Sequence, residues 1–404
     1  MLFDLNRKSG ISRLFANLFH KSKAIKRRSS VWSNLKRRST WLIGKDVLGN
    51  SINISLAMAS YLLKRKSLGC PIFLKIDINS TCSLRCTVCV HANSGDNEQL
   101  KAQRFRPSQI MDIEYYRRVI EECKGKSSSV SLYYLGDPLS NRNLTTYVKI
   151  ARTAGMNVDI STNFSFLIND AQMMELATCG ITHFTVCVDG FTGEVYSKMR
   201  VGGNIDLVKR NLAALCTYKN NLKITDLTIE VQHLEFAHNR HESSMVIDYC
   251  EKIGVDHISI ITGQLTNYTD YNFDSMKISS IKQKGLLPKC FWPYVAMIIK
   301  YDGNAFPCCT SRLGEVFADN PPDSLGNVFE FGVKSIWNSS PYKLARQSII
   351  NPKLMGNYLR KKQNFCAGCT SLCNVIPHES LGKIQQGEFE EIFENSPVGS
   401  VRRF

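Results

Sequence analysis

PIFLKIDINSTCSLRCTVCVH, residues 71–91, decides how this chain is read. An apolar run ends at Ile78, and Cys82, Cys86 and Cys89 then fall within eight positions. Thiols at i, i+4 and i+7 would also suit one face of a helix. Thr81, Thr87, Val88 and the strand just before them favour a loop instead. Such a loop can wrap three thiolates around one face of an iron–sulfur cubane and leave the fourth iron without a protein ligand. An open iron can bind a substrate or cofactor as well as carry an electron, whereas a closed site would ask for four thiolates. Zinc is the competing metal, with His91 available to complete a Cys3His set.

The run at 71–78 is the first of six. SVSLYYL (129–135), MNVDIST (156–162), ITHFTVCVD (181–189), ITDLTIEVQHL (224–234) and DHISII (256–261) follow it as short apolar or alternating strands. Between them lie helical patterns at 107–123, 143–155, 169–180, 204–218 and 242–254, several ending in Gly as a C-cap would. Strand–helix alternation over about 190 residues predicts parallel βα units, short of the eight of a full barrel. The expected fold is therefore α/β, a partial (βα)6 TIM-like barrel, followed by a small C-terminal iron–sulfur domain. Residues 1–66 form a basic extension, 67–285 the core and 286–404 the C-terminal domain. Lone cysteines Cys123, Cys179, Cys187, Cys216 and Cys250 read as core packing.

The 404 residues carry a formal charge of +16, unevenly spread. Residues 1–66 hold 15 Lys or Arg against Asp4 and Asp46, a net +13, while the remaining 338 hold 36 basic and 33 acidic groups. A nucleic-acid enzyme would spread its basicity over the catalytic body, so nucleic acid is disfavoured as a partner. Amphipathic pieces in the head, with Phe15, Leu18, Phe19, Trp32 and Trp41 as shallow anchors, fit a peripheral contact with an anionic membrane surface, a partner, or a cap on the body. SINISLAMASYLL (51–63) falls short of the ~20 residues that cross a bilayer. Fifteen cysteines without a secretory leader fit a reducing, cytoplasmic compartment and metal-bound thiolates.

Cys-x3-Cys-x2-Cys after the first strand of a partial barrel resembles the radical S-adenosylmethionine (AdoMet) superfamily. The resemblance implies a [4Fe-4S] cluster on Cys82, Cys86 and Cys89, with AdoMet on the fourth iron through its amino and carboxylate groups. It implies reductive cleavage to a 5'-deoxyadenosyl radical, with a one-electron donor such as flavodoxin or ferredoxin as partner. Gly136-Asp137-Pro138 stands where the family has Gly-Glu-Pro, a ridge for the AdoMet amino group. Ser161 and Asn163 lie in STNF, similar to the family's Thr-Asn-Gly stretch, with Phe164 where Gly is common. Asp189-Gly190 and Arg200 align with the strand-four stretch, the arginine as a partner for the AdoMet carboxylate.

Cys290, Cys308, Cys309 and the group Cys366, Cys369 and Cys373 make a second thiol set around YDGN, a hairpin turn at 301–304. A zinc ribbon shares that description. The arrangement, with GNVFEFGVKSIWNSSPYKLAR (326–346), resembles the C-terminal SPASM or twitch extension of peptide-maturing and aminoglycoside-oxidising radical AdoMet enzymes. One auxiliary [4Fe-4S] cluster is implied, on Cys290, Cys308, Cys366 and either Cys369 or Cys373, with Cys369 favoured. A closed cluster would transfer electrons, and an open one would bind substrate. The head favours a phosphorylated, sugar or lipid-linked substrate. The alternatives are a peptide- or protein-modifying maturase and a non-enzymatic zinc protein that binds nucleic acid or membrane.

Overall fold

Six strands lie side by side in chain order, each parallel to the next: β2 (Phe73–Ile76), β3 (Ser129–Ser131), β4 (Asn157–Thr162), β5 (His183–Cys187), β6 (Thr228–Glu235) and β7 (His257–Thr262). The structure, a computed structural model, describes residues 23–24, 44–63, 69–87, 89, 109–262, 290, 292–308 and 324–350. Helices α2 (Ile113–Cys123), α3 (Leu144–Thr153), α4 (Asp170–Thr178), α5 (Gly193–Met199), α6 (Ile205–Asn221) and α7 (Ser243–Ile253) fill the crossovers. Cap residues set several starts: Asp112 accepts from Glu114 N at 2.8 Å, and Asn169 forms a capping box with Gln172. At the end of α7 Gly254 adopts φ 81°, the left-handed cap that its position after the last periodic residue predicts.

Alternation along the strands divides the sheet into two faces. Val130, Val158, Ile160, Phe184, Val186 and Val231 turn to the helices and build the main core with Tyr116, Tyr147, Val208 and Leu212. Cys123, Cys179, Cys216 and Cys250 are buried in that core, as expected. Cys187 differs, because it sits at the carboxyl end of β5 on the opposite face, with Sγ 3.5 Å from Ser161 Oγ.

The expected hairpin forms from β8 (Ala296–Ile299) and β9 (Ala305–Phe306), which pair antiparallel. It continues the same sheet, with β8 parallel to β2 from Phe73↔Ala296 to Ile76↔Ile299. Lys23–Ala24 of the head forms β1, antiparallel to β7, so the order is β1-β7-β6-β5-β4-β3-β2-β8-β9 in a partial, barrel-like sheet.

Short helices α8 (Trp292–Val295), α9 (Val328–Phe331), α10 (Val333–Trp337) and the longer α11 (Ser340–Ile350) complete the described C-terminal part. Glu122 of α2 caps α10, accepting from Val333 N and Lys334 N at 2.8 Å each. Arg346 is buried with its guanidinium carbon 4.3 Å from the Trp337 ring centroid and 4.6 Å from that of Tyr342. It donates to the carbonyls of Pro293 and Trp337. Burial lowers its pKa to about 10, which still leaves it charged at neutral pH.

Helix α1 (Val47–Leu62) is built differently. Its N-cap, Asp46, accepts from Gly49 N at 2.9 Å, and its buried face is Asn50, Asn53, Ala57 and Ser60. Asn53 donates to the carbonyls of Cys70 and Lys126 and accepts from Cys70 N, fastening the helix to the entry of β2. The side turned to the body is thus partly polar, fixed by the hydrogen bonds of Asn53 and by a small apolar cluster in which Ala57, Ile54 and Tyr61 meet Ile72, Tyr294, Val295 and Ala296.

Candidate active site

The ends of β2 and β3 are stitched together beneath the cysteine loop. Ser80 Oγ donates to the buried Asp77 carboxylate, which also accepts from Leu135 N at 3.2 Å. Asn79 donates to Asp137 O at 3.0 Å, and Asp137 N donates to Thr81 O at 2.9 Å. Gly136 lies so close to this turn that a Cβ would collide with the carbonyl oxygens of Asn79 and Thr81. Gly136-Asp137-Pro138 is therefore more than a favourable turn, because only glycine lets the two loops approach this closely.

The cysteine loop is held from its other side by the segment after α5. Arg85 N donates to Val201 O at 2.9 Å and Thr87 N to Met199 O at 3.1 Å. Asn163 Nδ2 lies 3.8 Å from Cys82 Sγ, and Arg200 Nη1 lies 3.9 Å from Cys86 Sγ. Burial pushes the Cys82 thiol up to about 12, with Asp137, Cys86 and Cys89 adding to the rise. Burial raises Cys86 also, against the lowering pull of Arg200. Thiols in this setting resist ionisation until a cation arrives to bind them. Among the described residues no three His, Cys, Asp or Glu side chains converge as ligands of a single ion.

Asp137 turns inward. It accepts from Leu139 N at 3.0 Å, from Thr162 Oγ1 at 2.9 Å, and from both Asn163 N and Asn163 Nδ2 at 2.7 Å. Burial outweighs these donors and raises its carboxyl to about 6. The shorter acid at this position thereby ties the β3 loop to the end of β4. Ser161 and Asn163 diverge: Asn163 joins Asp137 and Cys82, while Ser161 faces Cys187. Phe164 follows at φ 55°, a left-handed backbone that explains why glycine suits this position. Asn211 clamps it by donating to Phe164 O at 3.0 Å and Phe166 O at 2.8 Å, and the Phe164 ring packs 5.1 Å from Phe184.

Asp189 is fully buried at the end of β5. Its Oδ2 accepts from Arg200 Nε at 2.6 Å and its Oδ1 from Leu234 N at 2.8 Å. Arg200 is thus no solvated surface side chain. Reasoning from sequence passed over the supports of this pair. Asn239 donates to the carbonyls of Asp189 and Leu234, and Glu242 accepts from Phe191 N, Thr192 N and Thr192 Oγ1. The polar run HNRHE directly after β6 was their available signal.

The inner face of the sheet, also passed over, is polar. Ser131 Oγ donates to Asp159 Oδ2 at 2.8 Å, His183 Nε2 lies 2.8 Å from Glu230 Oε2, and Ser259 Oγ donates to Glu230. Burial raises the Asp159 carboxyl against the lowering charge of His183. A barrel interior is more often filled with Val, Ile and Leu. Polar residues at every second position of MNVDIST, ITHFTVC and LTIEVQ announced this layer.

In the second thiol set, Cys290 is half-buried just before α8 and Cys308 is buried just after β9, below a turn with Gly303 at φ 87°. Cys309, Cys366, Cys369 and Cys373, like His91, lie outside the described residues.

The Radical SAM superfamily model matches residues 76–229, and the SPASM iron–sulfur cluster-binding domain model matches residues 290–370. The chain is a radical SAM enzyme with a C-terminal SPASM domain. This radical SAM enzyme is 21% identical over 180 residues to a probable GTP 3',8-cyclase of Methanococcus maripaludis, covering 45% of this chain and 55% of that protein. The match therefore spans about half the length of that relative. It is 22% identical over 306 residues to the tungsten-containing aldehyde ferredoxin oxidoreductase cofactor-modifying protein of Pyrococcus furiosus, covering 67% of this chain and 82% of the relative. Among solved structures, SuiB of Streptococcus suis bound to its precursor peptide SuiA shares the fold at TM-score 0.52 and 14% identity, over 84% of this chain and 77% of that one. A radical SAM enzyme binds an iron–sulfur cluster and AdoMet and generates a 5'-deoxyadenosyl radical, chemistry that protein acids and bases cannot supply. The buried thiols of Cys82 and Cys86 and the glycine ridge fit that pair of cofactors. The described residues hold no helix long and apolar enough to cross a membrane.

Proposed function

We propose that this enzyme abstracts hydrogen from a peptide or protein substrate. The inner sheet face favours it over a phosphorylated substrate: Ser131, Asp159, His183, Glu230 and Ser259 form a polar layer, largely buried and paired within itself, with no Arg or Lys among them to receive a phosphate. Likeness to a peptide-bound SuiB over both halves of the chain supports it. The expectation of a phosphorylated, sugar or lipid-linked substrate rested on the basic head alone. An organic cofactor as substrate is the second reading, favoured by the Pyrococcus relative.

Cys82, Cys86 and Cys89 would hold the AdoMet cluster. Backbone groups of Gly136, Asp137 and Pro138 would meet the AdoMet amino group, and Arg200, oriented by Asp189, its carboxylate. Asn163 would fix the Cys82 side, and Ser161 would line the floor. Cys290, Cys308, Cys366 and Cys369, or Cys373 in its place, would hold one auxiliary [4Fe-4S] cluster. A flavodoxin or ferredoxin would deliver the electron.

Anaerobic turnover of a cell extract with AdoMet and reductant, followed by mass spectrometry, tests the substrate class. A peptide that loses two hydrogens or gains a bond supports the reading; change confined to small molecules rejects it. Replacing Cys82, Cys86 and Cys89 with alanine tests the ligands. Iron should fall from about eight to about four per chain, with 5'-deoxyadenosine abolished. Undiminished 5'-deoxyadenosine would refute the assignment.

A further inference from the structure

The outward side of α1 is apolar. Val47, Leu48, Ile52, Leu62 and Leu63 are each more than half exposed, Leu48 at 74%. These are five of the twelve exposed large hydrophobic residues among the described ones, gathered on one helix and its C-cap. At 100° per residue Leu48, Ile52, Ser55, Ala59 and Leu62 share one side, opposite the buried Asn50, Asn53, Ala57 and Ser60. Not one of the sixteen residues of α1 is charged, which is abnormal for a helix that faces water.

Positive charge gathers instead at its C-terminal end: Lys64, Arg65 and Lys66 follow Leu63 directly, within a head of net +13, while at its start Lys45 is offset by the N-cap Asp46. We propose that α1 lies in the plane of an anionic membrane surface, its apolar side in the acyl boundary and the flanking cations at the headgroups. Sixteen residues span about 24 Å, too short to cross a bilayer but long enough to lie along one. A protein partner fits less well, since lysine is depleted in protein interfaces and here a Lys-Arg-Lys run directly follows the apolar stripe. The hydrogen bonds of Asn53 hold the helix rigidly on the body, so docking would orient the whole enzyme at the membrane.

The test uses the full-length chain and its Leu48→Glu/Ile52→Glu/Leu63→Glu variant in flotation with vesicles of phosphatidylcholine and phosphatidylglycerol at 3:1, beside pure phosphatidylcholine. The parent should float with the anionic vesicles, and the variant should lose on the order of tenfold in bound-to-free ratio. The three positions are exposed, so circular dichroism and AdoMet binding should be unchanged. A parent that does not float overturns the proposal. So does a variant that floats equally well, since binding would then belong to the remainder of the basic head. Light scattering closes the last alternative: a dimeric parent with a monomeric variant would make the stripe a self-association surface and reject the membrane.

Discussion

Arg200 donates through Nε to Oδ2 of Asp189 at 2.6 Å, and its Nη2 approaches the same oxygen at 2.5 Å, with the carboxylate wholly enclosed. The guanidinium is thereby aimed along the cysteine loop, with Nη1 3.9 Å from Cys86.

Removing one member of that pair leaves the other charge buried alone. Asp189→Asn should cost about 3–5 kcal/mol of folding stability, read by urea denaturation. Arg200→Lys keeps the charge but loses the planar fork, and should weaken AdoMet binding about tenfold in equilibrium dialysis. Unaltered affinity in a folded Arg200→Lys protein would remove Arg200 from the AdoMet site.

Gly136→Ala places a methyl group against backbone oxygens of Asn79 and Thr81, which cannot rotate away. The β2 and β3 loops must part, so AdoMet cleavage should be lost even where iron content is retained. Gly193→Ala meets nothing within 4 Å and serves as the silent control.

Asp137 makes the cluster-free protein pH-sensitive in a defined direction. Its carboxyl holds a proton more tightly when folded, at about 6 against an ordinary value of 3.8. Its stabilising contribution is therefore complete below pH 3.8 and lost as pH rises through about 6, a change of about 3 kcal/mol. Denaturation of parent and Asp137→Asn proteins between pH 4 and 7 isolates it. The parent's stability relative to the variant should decline across that window, and a constant difference would contradict the assignment.

Phe164→Gly relieves the left-handed backbone but empties the space beside Phe184. Loss of the ring should dominate, at about 3–5 kcal/mol. Asn211→Ala tests the clamp separately, and should cost about 1–3 kcal/mol for the two unpaired carbonyls it leaves.

Periodicity carried the reading of β2 to β7 and most of their helices, because each strand has one face packed on helices and each helix a cap. The cysteine loop and the glycine ridge were visible as motifs with fixed places after strands. Helix α1 was not, since Asn50, Asn53 and Ser60 share its body-facing side with Ile54, Ala57 and Tyr61 while Val47, Leu48, Ile52 and Leu62 face outward, blurring the pattern by which a surface helix is recognised. Asn239, Glu242 and Asn211 were missed for another reason. They act across 45 to 51 residues of sequence on backbone groups, which have no side-chain signature to pair with. That Phe164 is tolerated where the chain turns left-handed depends likewise on Asn211, a helix away.

The pairing of β8 with β2 works as a ruler. Four consecutive residue pairs lock the strand leading to the turn before Cys308 against the strand leading to Cys82. Sliding one past the other while keeping the same faces inward would take a jump of two residues, roughly 6.6 Å. Small hinge motions cannot retune that register, so the place of the β8–β9 turn beside the strand that leads to Cys82 is set at folding.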